Sequence, residues 1–260
     1  MPNMKKKFSR VSLWHFTRLG YRSLLFIIFL VYYIICRSKG RDLPIDRLSG
    51  SPLIIALIWA VFMGEMLFRF FPSKIESPGC QKQFSKNYIP TGNTNVVLHD
   101  NNGTVLVALM WIVLNGIIGA LYMAGIFDNG IMLLICLAYS VCDMICILFF
   151  CPFQTWFLKN KCCSACRIYN WDYAMMFTPL FFIRNALTWS LLATSVALLL
   201  RWEITVYRFP ERFSENTNAY LGCANCSEKL CSHKTQLHRL WKDLNFEKKL
   251  REARILLRKL

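Results

Sequence analysis

Hydrophobic positions in this chain fall into long blocks rather than into the alternation of strands or the stripes of soluble helices. Four blocks are nearly uninterrupted: 52–71, 105–127, 131–151 and 173–200. Each approaches or exceeds the ~20 apolar residues that cross a hydrocarbon core of ~30 Å at ~1.5 Å per residue. A fifth block, 24–36, is shorter and reads as an uncleaved short span or a helix lying in the interface. Arg37-Ser38-Lys39 follows it, where a signal peptide would need small residues for cleavage. Asp128-Asn129-Gly130 is a tight-turn signal that joins 105–127 and 131–151 as an antiparallel helical hairpin. Pro179 predicts a kink in the last block. The fold class expected from this pattern is an all-α integral membrane protein with four to five hydrophobic helices. A basic segment, 1–22, precedes the bundle of residues 23–200. A polar, basic, cysteine-rich tail, 201–260, follows it and ends in an amphipathic helix.

The polar residues inside the blocks carry the first functional signal. Glu65, Asn115, Asp143, Arg184 and Asn185 lie close to the centres of their blocks. An isolated charge at that depth costs at least ~2.5–3.5 kcal/mol on insertion scales, so such groups find partners or mark a pathway. The expected network has Arg184 serving both Glu65 and Asp143, with Asn115 completing the hydrogen bonds. The 24–36 block carries no such group, which places it outside the bundle. Two acids against one base would leave a surplus negative charge. That surplus opens a reading as an ion or proton transporter beside the plainer reading of a static polar knot. No inverted repeat or broken helix is visible to support a transporter design.

Charge sets the expected orientation. The formal net charge is +16, and it lies almost entirely outside the hydrophobic blocks. On such a chain, basic segments orient the protein and contact anionic lipid rather than nucleic acid. Four spans with an interfacial 24–36 segment would put 1–51 and 201–260 on the cytoplasmic face of the cell membrane. Those two segments hold 23 of the 31 Lys and Arg residues. The connection 151–172 would then face outward.

Twelve cysteines are many for 260 residues. Those inside 131–151 read as small, soft packing residues. The tail set is different: Cys223, Cys226, Cys231 and His233 form C-x2-C-x4-C-x-H in a polar stretch. Three thiolates and an imidazole suit tetrahedral zinc, and an iron–sulfur cluster is the alternative. A second cluster, Cys151, Cys162, Cys163 and Cys166, repeats the C-x2-C pair without a histidine nearby. If the two pairs exchanged electrons or disulfides, the protein would be a membrane redox protein. The expected topology keeps the clusters on opposite faces.

Leu237, Leu240, Trp241 and Leu244, continued by Leu250, Ala253, Leu257 and Leu260, form an apolar stripe among lysines and arginines. A helix of 235–260 with that stripe suits an anionic membrane surface, a protein partner or self-association. No phosphate loop, nucleophile–base motif or HExxH zinc motif is present, so the sequence identifies no catalytic residue. The reading that remains is a polytopic membrane protein with a Cys/His metal site, zinc first, in its tail.

Overall fold

A computed structural model describes residues 10–40, 53–72, 78–98, 101–158 and 166–222. The chain is all-helical, with no strand among the described residues. Among the described residues seven α-helices follow in order: α1 (Arg10–Ser38), α2 (Leu53–Phe68), α3 (Pro78–Gln83), α4 (Asn101–Met123), α5 (Asn129–Leu148), α6 (Asp172–Phe177) and α7 (Ala186–Arg208). Four of these, α1, α4, α5 and α7, are long and apolar enough to cross a membrane. Large apolar side chains stand exposed along them, including Ile27, Val31 and Ile34 on α1 and Leu109, Ile112 and Val113 on α4. In water that surface would be costly; against lipid tails it costs nothing.

The first helix departs most from the expectation. The 24–36 block is the second half of α1, which runs for 29 residues, about 43 Å. It does not stand outside the bundle. Ser12, His15, Arg18, Arg22, Phe29 and Cys36 are buried and fall on one face at helical spacing, while Leu13, Leu24, Ile28 and Ile35 are exposed. That buried face packs along α5 in antiparallel fashion. Phe16 meets Phe149 edge-on at 6.2 Å near one end, and Arg37 pairs with Asp128 at 2.5 Å near the other. Conversely, the 52–71 block yields a helix of 16 residues, about 24 Å, that is shorter than a full crossing. Tight turns from Arg69 to Phe71 extend it, each amide bonding the carbonyl three residues back.

The last block is also divided. Residues 173–200 do not form one kinked span. α6 passes into a 3-10 turn, Thr178–Phe182, and then into extended backbone before α7 begins. Pro179 supplies the break, since it has no amide hydrogen to continue an α-helix. Asn185 then caps α7, its side chain accepting from the Leu187 amide at 2.9 Å. The stretch 172–182 covers about 19 Å by its helical rise. It runs from Asp172, held by Arg69, to Phe182, whose ring fills the space beside Gly119 so closely that a Cβ there would overlap it. α7 returns alongside α2, with Trp59 Nε1 donating to Ser190 Oγ at 2.8 Å.

Following these contacts gives the course of the chain. α1 leaves one end of the bundle and α2 returns to it; α4 leaves and α5 returns; 172–185 leaves and α7 returns. The described chain therefore begins and ends at the same end, called here the charged end. A cap lies over it. Residues 84–98 meet 209–222 through one antiparallel bridge, Pro90–Asn218, and through Ala219 N to Ile89 O at 2.8 Å and Thr91 N to Thr217 O at 3.1 Å. Fully buried Asn218 is the centre of this cap, donating to the carbonyls of Lys82 at 3.0 Å and Arg212 at 2.9 Å. Phe84 and Phe213 close the cap onto Trp202 of α7.

Asn218→Ala would leave two buried carbonyls unsatisfied, at a cost of ~1–3 kcal/mol each. Amide exchange in 82–98 and 209–222 is expected to quicken, while α4 and α5 keep their protection.

Candidate functional site

The buried face of α1 brings cations into the bundle, and each meets acids on other helices. Arg22, with no exposed surface, is the centre. Its Nη2 donates to Glu65 Oε2 of α2 at 2.5 Å, and its Nη1 to Asp143 Oδ2 of α5 at 3.1 Å. The same Nη1 also donates to the Ser140 carbonyl at 3.1 Å. One turn earlier, Arg18 Nε stands 3.8 Å from Glu65 Oε1, with its guanidinium over the Trp14 ring. Tyr173 of α6 adds a hydroxyl that donates to Glu65 Oε2 at 2.6 Å.

A second pair borders the first. Arg69, just past α2, grips Asp172 with both nitrogens, Nη1 to Oδ1 at 2.7 Å and Nη2 to Oδ2 at 2.5 Å. The first contact is a hydrogen bond and the second an ion pair. The Tyr173 ring links the pairs, with the Arg69 guanidinium 4.6 Å from its centroid and that of Arg22 5.8 Å away. The cluster thus balances Arg18, Arg22 and Arg69 against Glu65, Asp143 and Asp172. No surplus charge is left among these six. His15 also lies wholly buried on α1, and neither ring nitrogen has a hydrogen-bond partner.

Of the expected network, Glu65 and Asp143 do converge, but on Arg22. Arg184 is exposed at the opposite end of the bundle, beyond the 3-10 turn. Its expected depth rested on a continuous helix through 173–200, and Pro179 breaks that helix. Asn185 serves as the cap of α7. Asn115 is buried but turns to its own helix, donating to the Trp111 carbonyl at 3.0 Å. The expectation missed Arg69, Asp172 and Tyr173 at the borders of their blocks, and above all it missed Arg18 and Arg22. Their signal was legible: Ser12, His15, Arg18 and Arg22 keep helical register with Phe29 and Cys36, so one face runs unbroken from the basic segment into the apolar block.

The cysteine clusters divide at the borders of the described residues. Cys223, Cys226, Cys231 and His233 lie outside them, as do Cys162 and Cys163. Cys151 and Cys166 lie inside, both at the charged end with the start of the tail at Gly222. The 151–172 connection therefore does not lie on the opposite face from the tail as expected, because the broken passage 172–185 and α7 together cross the bundle twice. Among the described residues, no three His, Cys, Asp or Glu side chains converge as a metal ion would require.

Beside the ion cluster lies a cavity of about 280 Å³, framed by α4, α5 and the segments 151–154 and 166–176. Cys142, Cys146, Cys151 and Cys166 all reach it, and the Cys146 and Cys151 thiols hydrogen-bond to each other. Asp172 and Asp143 reach it too. Asp172 is engaged on both oxygens by Arg69. Asp143 gives Oδ2 to Arg22, whereas among the described residues no donor bonds Oδ1, and the side chain keeps 17% exposure. No protein-family description, curated protein or solved structure matches this chain.

Arg22→Leu would take from Asp143 its cation and leave Glu65 only the Tyr173 hydroxyl and the more distant Arg18, a loss of ~3–5 kcal/mol. Arg184→Leu, at an exposed position, should stay within ~0.5 kcal/mol. Thermal unfolding of the two variants in detergent measures the contrast.

Proposed function

We propose that this chain is a polytopic protein of the cell membrane whose two ends are cytoplasmic and whose tail carries a metal site, with zinc as the metal. The observation that carries the reading is the return of the described chain to one end of the bundle. Among the described residues, Arg37, Lys39 and Arg184 lie at the opposite end, whereas Arg69, Lys82, Lys86, Arg167, Arg201 and Arg212 lie at the charged end or in its cap. So uneven a distribution favours the charged end as the cytoplasmic one. There the thiols of the tail stay reduced and open to metal.

Cys223, Cys226, Cys231 and His233 supply the donor set, and an iron–sulfur cluster, with membrane redox chemistry, is the alternative occupant. Cys166 and the start of the tail at Gly222 share the charged end, which permits a site shared between Cys163, Cys166 and the tail cysteines. The basic segment 235–260, whose sequence pattern is that of an amphipathic helix, suits anionic lipid or a partner protein. The balance of three arginines against three acids supports a fixed polar core over ion or proton transport through Glu65, Asp143 and Arg184.

Purified full-length protein, reduced and at neutral pH, should contain about one zinc per chain. Cys226→Ser should lower that content while leaving the unfolding temperature of the bundle in place. Neither zinc nor iron in the intact protein would remove the metal reading. Reporter fusions at residues 1 and 260 should both report the cytoplasm; opposite sides would remove the topology.

A further inference from the structure

We propose that the cavity beside the ion cluster is a binding site for a small, neutral, mostly apolar molecule carrying one hydrogen-bond donor, of the class that includes indoles and phenols. The site is independent of the tail metal. Its size, about 280 Å³, lies near the lower end of the ~300–1,000 Å³ typical of ligand pockets, which suits one or two fused rings. Trp111, Tyr139 and Tyr169 supply aromatic walls, and Met175 and Cys142 supply soft sulfur contacts that favour an aromatic guest.

One feature gives the guest its polarity. Asp143 lines the cavity; its Oδ2 is fixed by Arg22, and among the described residues no donor bonds its Oδ1. A carboxylate oxygen of this kind accepts hydrogen bonds and donates none, so a guest without a donor leaves it unsatisfied. The charge of the guest follows from its surroundings. Arg18, Arg22 and Arg69 already balance Glu65, Asp143 and Asp172. An ammonium would therefore bring an unbalanced charge into a low-dielectric space, where desolvation costs several kcal/mol per ion. A neutral N–H or O–H meets the same oxygen without that cost.

The route in is lateral. Cys142 is exposed on α5, next to Asp143, and Ile145 on the same helix is 40% exposed. That surface faces lipid in the reading above, so a guest that partitions into the bilayer arrives at the cavity mouth.

The test uses full-length protein in phosphatidylcholine nanodiscs and radiolabelled indole as the probe, with empty nanodiscs subtracted for partitioning. Saturable binding of about one indole per chain is expected. N-methylindole, which enters lipid equally well but has no donor, should compete at least tenfold more weakly. Tryptamine, whose amine is charged, should also compete more weakly than indole. Asp143→Asn keeps an acceptor for Arg22 and turns an amide N–H₂ into the cavity, and should weaken indole at least tenfold. Met175→Phe fills the cavity away from the ion cluster and should abolish binding. No saturable binding, or N-methylindole competing as well as indole, overturns the site. Tryptamine competing better than indole overturns the neutral class. If Asp143→Asn unfolds, the comparison of indole with N-methylindole on unaltered protein still decides.

Discussion

A guanidinium buried among apolar helices has to be met by acids from somewhere else in the chain, and Arg22 is where this fold meets that demand. Its two terminal nitrogens reach Glu65 on α2 and Asp143 on α5. Three helices distant in sequence are thereby tied at one depth. Hydrophobic burial alone would not fix that depth, because lipid tails are as apolar as the helix faces. The ion pairs do, since sliding α1 by one residue would separate groups now at hydrogen-bond distance. Tyr173 extends the tie to α6 and to the Arg69–Asp172 pair.

The remaining architecture accommodates this tie. α2 is short, ending in tight turns just after Glu65, so that Arg69 can turn toward Asp172. The passage 172–185 is broken because Tyr173 and Asp172 must sit in the cluster while Phe182 packs against α4 near the opposite end. The cap of 78–98 and 209–222 then covers the cluster from the charged end, holding Gln83 to Asn170 at 2.8 Å. The cavity lies on the uncapped flank, with Asp143 shared between the cluster and the open space.

Much of this was legible in the blocks. The 105–127 and 131–151 runs correspond to α4 and α5, and Asp128 starts α5 as its cap, accepting from the Ile131 amide at 2.8 Å. Glu65 and Asp143 stood out because acids are scarce in apolar runs. Arg22 was missed because it precedes its block, where a basic residue reads as an interfacial anchor. Only its register with His15, Arg18 and Phe29 shows that it belongs to a buried face. Arg184 misled for the opposite reason: its centrality was counted along a helix that Pro179 and Asn185 divide. Local rules placed both residues correctly in sequence, but the partner of a buried charge is a tertiary fact. The tail ligands stay a matter of spacing alone, since they fall outside the described residues.

The central claim is that Arg22 and Glu65 stabilise the bundle as a pair. A double-mutant cycle of Arg22→Leu and Glu65→Leu, read by unfolding free energy in one detergent, measures it. The pair predicts that the double variant is more stable than the sum of the single losses implies, by more than ~1 kcal/mol, because each single change takes from a buried charge its shortest ionic partner. Additivity within ~0.5 kcal/mol would contradict the pairing and, with it, the place of α1 in the bundle.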